Sequence, residues 1–481
     1  MADDSPTDLE FEREPVPERA RLGFRSFLGQ YVSEHVAGTE LMIGPLFLRT
    51  GVTAADLVLG LLVGNALAVL SWLLVTAPIA TRVRLTLYAH LERLCGRKLV
   101  TLYNLANGVM FCFLAGSMIT VSATAAGVWT GIEMPSFADT LPNGAGWLAT
   151  SLVVGVLIAV IAAAGYRAVA RFGDLAAPWM ILVFLAFGIV GLRQLGVTDM
   201  SQIWEVATTK VFPGGAPRAG ATHFTFWHVC FFAWFCNLAM HLGMADLSVF
   251  RFAKKSRYAV ASGAGMYVGH CMAWLAAAIL YAVQLARDPT NEDVLPGPMA
   301  DSACGVAGLV CVIVAGWTTA NPTIYRAGLA FQAIVPTVSR FKVTLFAGAV
   351  ATVAGLFPAV AMKLLGFVAF YGMVLMPMGA VIVADYWLLP RLGLQSWWAM
   401  KRGLEFYGAA GLTWLLTLAS CAALVQWGGV EIYFVSLPGW LLAGLLYTLL
   451  SAVWQRLDRP RGDRTMNADS GMRSGGSELS R

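Results

Sequence analysis

The sequence predicts an all-α polytopic membrane protein with twelve transmembrane helices. Hydrophobic residues make up 58% of its 481 residues and charged residues only 13%, whereas soluble chains carry about 25% charged residues. The mean hydropathy is +0.68, so a soluble globule could not bury the apolar surface. The apolar residues also form long continuous runs, unlike the short alternating strands of a transmembrane barrel. These observations place the chain in a lipid bilayer.

Twelve apolar runs are each long enough to cross a bilayer, which takes about 20 residues in a helix. Because lipid offers the backbone no hydrogen-bond partners, each run should be helical. In chain order, the predicted spans cover residues 28–50, 54–80, 99–127, 146–165, 170–193, 224–248, 258–285, 301–325, 341–359, 361–389, 405–427 and 432–455. We number them span 1 to span 12.

The lysine and arginine residues are divided unevenly between the two sides of this arrangement. With twelve spans, both tails lie on one side, together with the loops after spans 2, 4, 6, 8 and 10. Of the 33 basic residues, 27 fall on that side, including Arg251, Arg326 and Arg340. Since basic loops stay in the cytoplasm, the sequence predicts cytoplasmic N- and C-termini in a multi-pass protein of the cell (plasma or inner) membrane.

The two tails, residues 1–26 and 457–481, are rich in charged and small polar residues and lack apolar periodicity, so they are predicted to be disordered. The basic rims suit anionic lipid headgroups. Without a folded basic domain, nucleic acid is not an expected partner. The expected partners are the bilayer and a small-molecule substrate, and the expected state is a monomer.

Several function classes lack their sequence signatures. There is no HExxH motif, no paired cysteine ligands, no Walker motif and no nucleophile elbow, so neither metal-dependent catalysis nor ATP-driven transport is predicted. The tails are too short for the soluble output domain of a sensor. The sequence therefore predicts a non-enzyme without an organic cofactor.

Span 1 is unusually polar for a transmembrane segment. Glu34 and His35 precede Gly38 and Thr39 by about one turn, and Glu40 follows. Ionisable groups at mid-membrane cost about 2.5–3.5 kcal/mol on insertion scales, so they usually serve a function. Gly38 and Thr39 could allow an unwound stretch whose carbonyls bind a cation. Alternatively, the helix begins near Thr39, which would leave Glu34 and His35 at the cytoplasmic rim.

Span 6 combines histidines with a polar stretch that contains glycine. His241 lies beside Gly243 and shortly before Asp246, a composition typical of the broken helices in transporters. We predict that His241 contacts the ligand. The alternative is a packed histidine that bonds a neighbouring carbonyl, and this structural interpretation is favoured for His228.

Span 8 carries two adjacent hydroxyl side chains, Thr318 and Thr319. Together they could give oxygen ligands to a small hard cation. Threonine also commonly caps its own backbone in membrane helices, so the pair alone leaves both interpretations open.

Motifs in several spans follow one another in an order typical of one transporter family. They are residues 48–52 with 60–65, Pro178 in span 5, residues 251–260, Trp317-Thr318-Thr319 with Asn321, and residues 379–386. Together they extend from about residue 40 to residue 390 and resemble the nucleobase:cation symporter-1 family, most closely its cytosine-permease branch.

This resemblance implies the leucine-transporter-type fold with a five-plus-five inverted repeat. Residues 27–195 would form the first repeat, residues 196–390 the second, and residues 391–456 the peripheral spans 11 and 12. Spans 1 and 6 would be broken at mid-membrane. The ligand would lie between these broken helices and spans 3 and 8.

The resemblance also implies a sodium site. Thr318 and Thr319 match the hydroxyls that bind sodium in the family. The carbonyl ligands would come from about Glu34 to Ala37 in span 1.

At the positions that hold the base in the cytosine branch, this chain differs from the family. The asparagine two residues before the span 8 tryptophan is Ala315, and the aromatic residue of span 3 is Met110, with Phe111 beside it. In span 6, Ala239 and His241 stand for an aromatic residue and a serine. Cation binding is therefore better supported than cytosine binding. The candidate substrate-binding residues are Gly38, Glu40, Met110, Phe111, Ala239, His241 and Ala315.

The resulting hypothesis is a secondary active importer of a small nitrogenous heterocycle, such as a nucleobase, a hydantoin or a vitamin-like compound. Sodium is the favoured coupling ion, and alternating access is the expected mechanism. The main alternative is proton coupling through Glu34, Glu40 or His241, with the threonines structural and a different small solute, charged or neutral, as the substrate. A membrane sensor or an enzyme is less favoured.

Overall fold

The computed structural model describes residues 10–136, 139–236 and 238–458. These residues form helices joined by loops, and they contain no β-strand beyond two isolated bridges. Nine helices within them are long and apolar enough to cross a membrane. They are Ala54–Val83, Arg97–Thr130, Ala145–Ala163, Tyr166–Gln194, Ser256–Arg287, Pro296–Ile334, Gly366–Leu388, Gly408–Gln426 and Ile432–Leu457. The all-helical, multi-pass prediction is confirmed, whereas the count of twelve remains a prediction.

The other three predicted spans are either divided or short. Span 1 consists of Phe24–His35 and Glu40–Arg49. Span 6 consists of Phe226–Cys236, Leu238–His241 and Leu247–Phe250. Span 9 is the helix Arg340–Gly355, with 16 residues. Spans 1 and 6 are thus interrupted at the polar stretches in which breaks were expected.

The break in span 1 covers residues 36–39 and lies directly against spans 3 and 8. A Cβ atom added at Gly38 would lie 2.9 Å from Val121 Cγ1 and 3.3 Å from the backbone nitrogen of Gly316. A larger residue would therefore force the unwound segment away from both spans.

The break in span 6 lies against span 10. Met244 has a φ of +69°, a left-handed conformation that is strained for a residue with a side chain. A Cβ atom at Gly379 in span 10 would overlap the carbonyl oxygen of Leu242. Span 10 therefore holds the strained segment by direct contact with its backbone.

Several other spans pack against span 8. Its helix packs along span 3 and also contacts spans 1, 5 and 9. The second half of span 1 packs on span 7, and span 6 packs on span 2. Spans 11 and 12 pack on each other, and span 12 packs on span 10.

Residues 10–23 belong to the N-terminal tail that the sequence predicts to be disordered. In the structure they pack against the helix bundle, which corrects this part of the prediction. The Glu10 carboxylate accepts hydrogen bonds from the Tyr166 backbone (3.0 Å) and the Tyr325 hydroxyl (2.8 Å). The buried Arg251 guanidinium donates to the carbonyls of Glu10 (2.6 Å) and Phe11 (2.7 Å). Charged residues in a tail normally indicate disorder, but here they satisfy buried partners. Residues 1–9 and 459–481 lie outside the described residues.

Both described ends of the chain lie at one end of the bundle, which we call the terminal end. At this end, Arg13 near the N-terminus pairs with Glu92, and Asp458 near the C-terminus pairs with Arg402. The Arg13 and Glu92 side chains line the same surface groove as Glu405. This arrangement agrees with an even number of membrane crossings.

Candidate functional site

A cavity of about 120 Å³ lies between the two broken helices. Spans 3, 7, 8 and 10 complete its wall. The lining residues are Glu34, His35, Thr39, Glu40, Ile43, Leu114, Met118, Met240, His241, Asp246, His270, Trp274, Thr319, Thr323, Arg326, Val368 and Tyr371. Glu34 and His35 thus lie in the cavity wall rather than at a rim.

Arg326 of span 8 joins the two broken helices. Its guanidinium lies 3.1 Å from a Glu34 carboxylate oxygen in span 1 and 2.8 Å from Asp246 in span 6. The side chain of Arg326 is only 2% exposed. Because arginine stays protonated and a buried charge needs partners, this cluster fixes the relative positions of spans 1, 6 and 8.

His241 lies in the cavity wall beside this cluster. Its Nε2 atom is 3.3 Å from an Asp246 carboxylate oxygen, and its ring stacks on Trp72 with centroids 5.1 Å apart. Its buried Nδ1 atom has no hydrogen-bond partner. The partner of His241 is thus a carboxylate, not the neighbouring carbonyl of the packing interpretation. Its contact with a ligand remains a prediction.

A second polar group surrounds Glu40. The Trp274 indole nitrogen donates a hydrogen bond to the Glu40 carboxylate, and His270 Nε2 lies 3.7 Å from that carboxylate. The His270 and Trp274 rings stack at 4.5 Å. Glu40 is therefore a buried carboxylate that meets a ring nitrogen from each of the two stacked rings of span 7.

Thr319 of span 8 lies beside the end of the first half of span 1, directly before the break. Thr319 Oγ1 is 3.4 Å from the Glu34 carbonyl oxygen. Thr318 and Thr319 also bond the Ala315 carbonyl at 3.0 and 3.2 Å, so both cap their own helix. Hydroxyl and carbonyl oxygens are the donors that a hard cation prefers, and Ala37 is buried in the same segment. The donor set fits sodium, and sodium binding there remains a prediction.

Several predicted substrate residues do not line the cavity. Met110 and Phe111 are buried one to two turns away from it, and span 3 instead presents Leu114 and Met118. Phe111 lies on the same helix face as these two residues, about one turn from Leu114. Gly38 is buried in the break, and Ala315 is fully buried behind the wall. The side chain of Ala239 lies outside the described residues.

Of the wall residues, sequence reasoning identified only Glu34, Glu40, His241 and Thr319 as site residues. Those it missed include Asp246, His270, Trp274 and Arg326. Arg326 was assigned to a basic loop, but the span 8 helix continues to Ile334 and buries it. Two more basic residues assigned to loops, Arg251 and Arg340, are also buried. An arginine within one turn of the predicted end of an apolar run could have signalled such a role.

Comparisons with known proteins place the fold. The sequence matches no profile of a known protein family, and no curated protein matches it. Solved structures of several transporters are similar to it in fold. Mhp1, a nucleobase-cation-symport-1 family transporter, in a closed conformation with bromovinylhydantoin bound, gives a TM-score of 0.66 at 14% identity, over 94% of this chain and 95% of that chain.

Inward-facing Mhp1 gives a TM-score of 0.67 at 13% identity, over 92% and 93% of the two chains. A Na⁺-coupled sialic acid symporter, in a substrate-bound outward-open state, gives 0.63 at 12% identity, over 90% of each chain. The chain therefore has the fold of these transporters along nearly its whole length.

Proposed function

We propose that this protein is a cation-coupled secondary transporter of a small nitrogenous compound and a member of the nucleobase:cation symporter-1 family. The observation that carries the proposal is the break in span 1. Directly before the break, the Glu34 carbonyl faces Thr319, and residues on both sides of the break line the cavity. A cation and a substrate bound at this segment would each stabilise the conformation that the other requires.

The coupling ion is sodium, bound by the hydroxyls of Thr318 and Thr319 and by span 1 carbonyls between Glu34 and Ala37. One cation that moves down 100 mV supplies about 2.3 kcal/mol, or roughly 50-fold accumulation of a neutral partner. The substrate binds in the cavity, and Glu40 and His241 supply its polar contacts. The closeness of Thr319 to the Glu34 carbonyl supports the ion site.

The topology that accompanies this function has twelve spans, counting the two broken helices and the short span 9. Spans 1–5 and 6–10 form the inverted repeats, and the terminal end faces the cytoplasm. The breaks in spans 1 and 6, at corresponding positions of the two halves, support the repeat.

Proton coupling is the second candidate. Its support comes from two histidine–carboxylate pairs in the cavity wall, His241 with Asp246 and His270 with Glu40. Histidine titrates near neutral pH when unperturbed, so either pair could carry a proton across. Under this candidate, the span 8 threonines would serve only as helix caps.

Thermal-shift measurements on purified protein test the proposal and separate the two candidates. Nucleobases, hydantoins, vitamins and amines are screened at fixed pH with sodium or with choline. We expect at least one class to stabilise the protein only in sodium, and the double variant Thr318→Val/Thr319→Val to lose this dependence.

The matched control is Thr413→Val, which removes a buried hydroxyl that caps span 11 far from the cavity. It should keep the sodium dependence. Sodium-dependent binding that persists in a folded double variant would contradict the ion site, and binding that depends on pH alone would favour proton coupling.

A further inference from the structure

The cavity wall contains more negative than positive charge. Among the described residues that line it, three carboxylates, Glu34, Glu40 and Asp246, face a single guanidinium, that of Arg326. The carboxylates of the wall thus outnumber its guanidinium groups by two, and a buried carboxylate is stabilised by a partner of opposite charge.

The position of Arg326 shows which carboxylate of the wall has no basic partner. Arg326 lies between Glu34 and Asp246 and contacts both. The proposed sodium ion would lie at the backbone of Glu34, near Thr319. No lysine or arginine among the described residues forms an ion pair with Glu40, whose side chain is 4% exposed. A cationic ligand would therefore supply the basic partner that Glu40 lacks among the described lysine and arginine residues.

The surroundings of Glu40 suit an organic cation. The stacked rings of His270 and Trp274 present ring nitrogens to the carboxylate. The remaining wall is largely apolar. Its apolar members are Ile43, Leu114, Met118, Met240 and Val368. Such a cavity would accept a charged nitrogen at Glu40 and a compact apolar body opposite it.

A second, independent feature points to a ligand with a hydrogen-bonding nitrogen. The His241 ring is buried in the cavity wall, and its Nδ1 atom has no hydrogen-bond partner. A buried polar atom that lacks a partner costs about 1–3 kcal/mol. A polar group of the ligand would remove this cost.

We propose that the substrate is a small organic cation, such as a protonated amine, an amidine or a protonated ring nitrogen, and that Glu40 is its counter-ion. This inference rests on the proposed transport function and narrows its substrate class. An anion would meet the uncompensated carboxylate, because Arg326 is already held by Glu34 and Asp246.

Probes of one shape and different charge test the proposal. Benzamidine is a cation, benzamide is neutral and benzoate is an anion, and the three share one framework. Binding of each to purified protein is measured at pH 7.5 by calorimetry, beside a panel of small amines and neutral nucleobases. We expect cationic members to bind and benzoate not to bind.

Glu40→Gln keeps the shape and an acceptor for Trp274 but removes the charge. It should weaken binding of the cations about 10- to 100-fold and affect binding of neutral members much less. Without ligand, it should unfold at a higher temperature than the wild type, because an uncompensated buried charge is gone. A merely structural Glu40 predicts a lower unfolding temperature. Asp301→Asn removes an exposed carboxylate outside the cavity and should change neither property.

Each other outcome overturns the proposal. The first is that only neutral or anionic members bind, and the second is that no cation binds at all. The third is that the wild type and Glu40→Gln bind cations equally well. The fourth is that a divalent metal ion such as Mn²⁺ stabilises the protein and organic cations do not. Uptake into proteoliposomes distinguishes failure of the cationic-substrate proposal from failure of the proposed transport function. Sodium-driven uptake of a neutral compound would retain the transporter and reject the cationic substrate.

Discussion

Arg326 connects carboxylates from two different broken helices, since Glu34 belongs to span 1 and Asp246 follows the break in span 6. Removal of one member of such a buried cluster leaves the others unpaired. We predict that Arg326→Met lowers the free energy of unfolding by about 3–5 kcal/mol, measured as a lower midpoint of thermal unfolding in detergent.

The triple variant Arg326→Met/Glu34→Gln/Asp246→Asn has no unpaired charge at this position and should recover most of the lost stability. It should not recover ligand binding if the cluster orients the broken helices. An Arg326→Met variant with wild-type thermal stability would show that the three groups are not paired in the membrane protein.

The buried His90, which lies outside the membrane spans, makes the stability of the protein depend on pH. It lies in the helix Leu87–Cys95 at the terminal end, is 1% exposed, and has no hydrogen-bond partner on either ring nitrogen. Burial, and secondarily the nearby Arg93, lower the pKa of His90 to about 3. Between pH 6.5 and 3 the unfolded chain therefore binds a proton that the folded chain does not.

Acid therefore favours the unfolded state of the protein. At pH 5 this histidine costs about 2 kcal/mol of stability relative to pH 8. The variant His90→Phe should thus gain stability relative to the wild type as the pH falls from 7 to 5. The exposed His223, changed to Gln, is the control and should leave the profile unaltered. Parallel curves for the wild type and His90→Phe would contradict the shift.

Span 10 is in close contact with the break in span 6, and a substitution can test whether this contact supports the break. A methyl group at Gly379 would overlap the Leu242 carbonyl, whereas one at Gly444 in span 12 would meet no atom within 4 Å. We predict that Gly379→Ala lowers the unfolding midpoint, consistent with about 1–3 kcal/mol for overpacking, and weakens ligand binding. Gly444→Ala should match the wild type. Equal behaviour of both variants would mean that span 10 does not support the break.

Polar stretches in apolar runs predicted the two broken helices, because lipid makes every polar group within a span conspicuous. Thr319 and Glu34 could also be associated from sequence, although only through the family resemblance. The depth of the cavity along span 3 could not be predicted, since Phe111 and Leu114 occupy the same helix face.

The pairing of Arg326 with Asp246 depends on where span 8 ends, and apolar runs do not define that end. The packing of Glu10 was equally hidden, because its partners are a backbone amide and the hydroxyl of Tyr325, both distant in sequence. Such long-range polar contacts leave no local pattern.

Across the whole molecule, the asymmetry of basic residues predicts that the terminal end faces the cytoplasm. Lys98 at that end is exposed, and Thr140 lies in an exposed loop after span 3. We predict that Lys98→Cys in intact cells resists an impermeant thiol reagent, whereas Thr140→Cys reacts with it. Five of the native cysteines are buried, Cys95 among them, and the wild type gives the background. The reverse labelling pattern would invert the topology.

Similarity to transporters along the whole chain, a cavity between two broken helices and an oxygen-rich segment beside it together support coupled transport. Uptake into proteoliposomes tests this most directly, with a radiolabelled compound identified by the binding screen. An inward sodium gradient at equal pH should drive accumulation above the external concentration, and gramicidin should abolish it. Uptake that only equilibrates the compound, with either a sodium or a proton gradient imposed, would contradict secondary active transport.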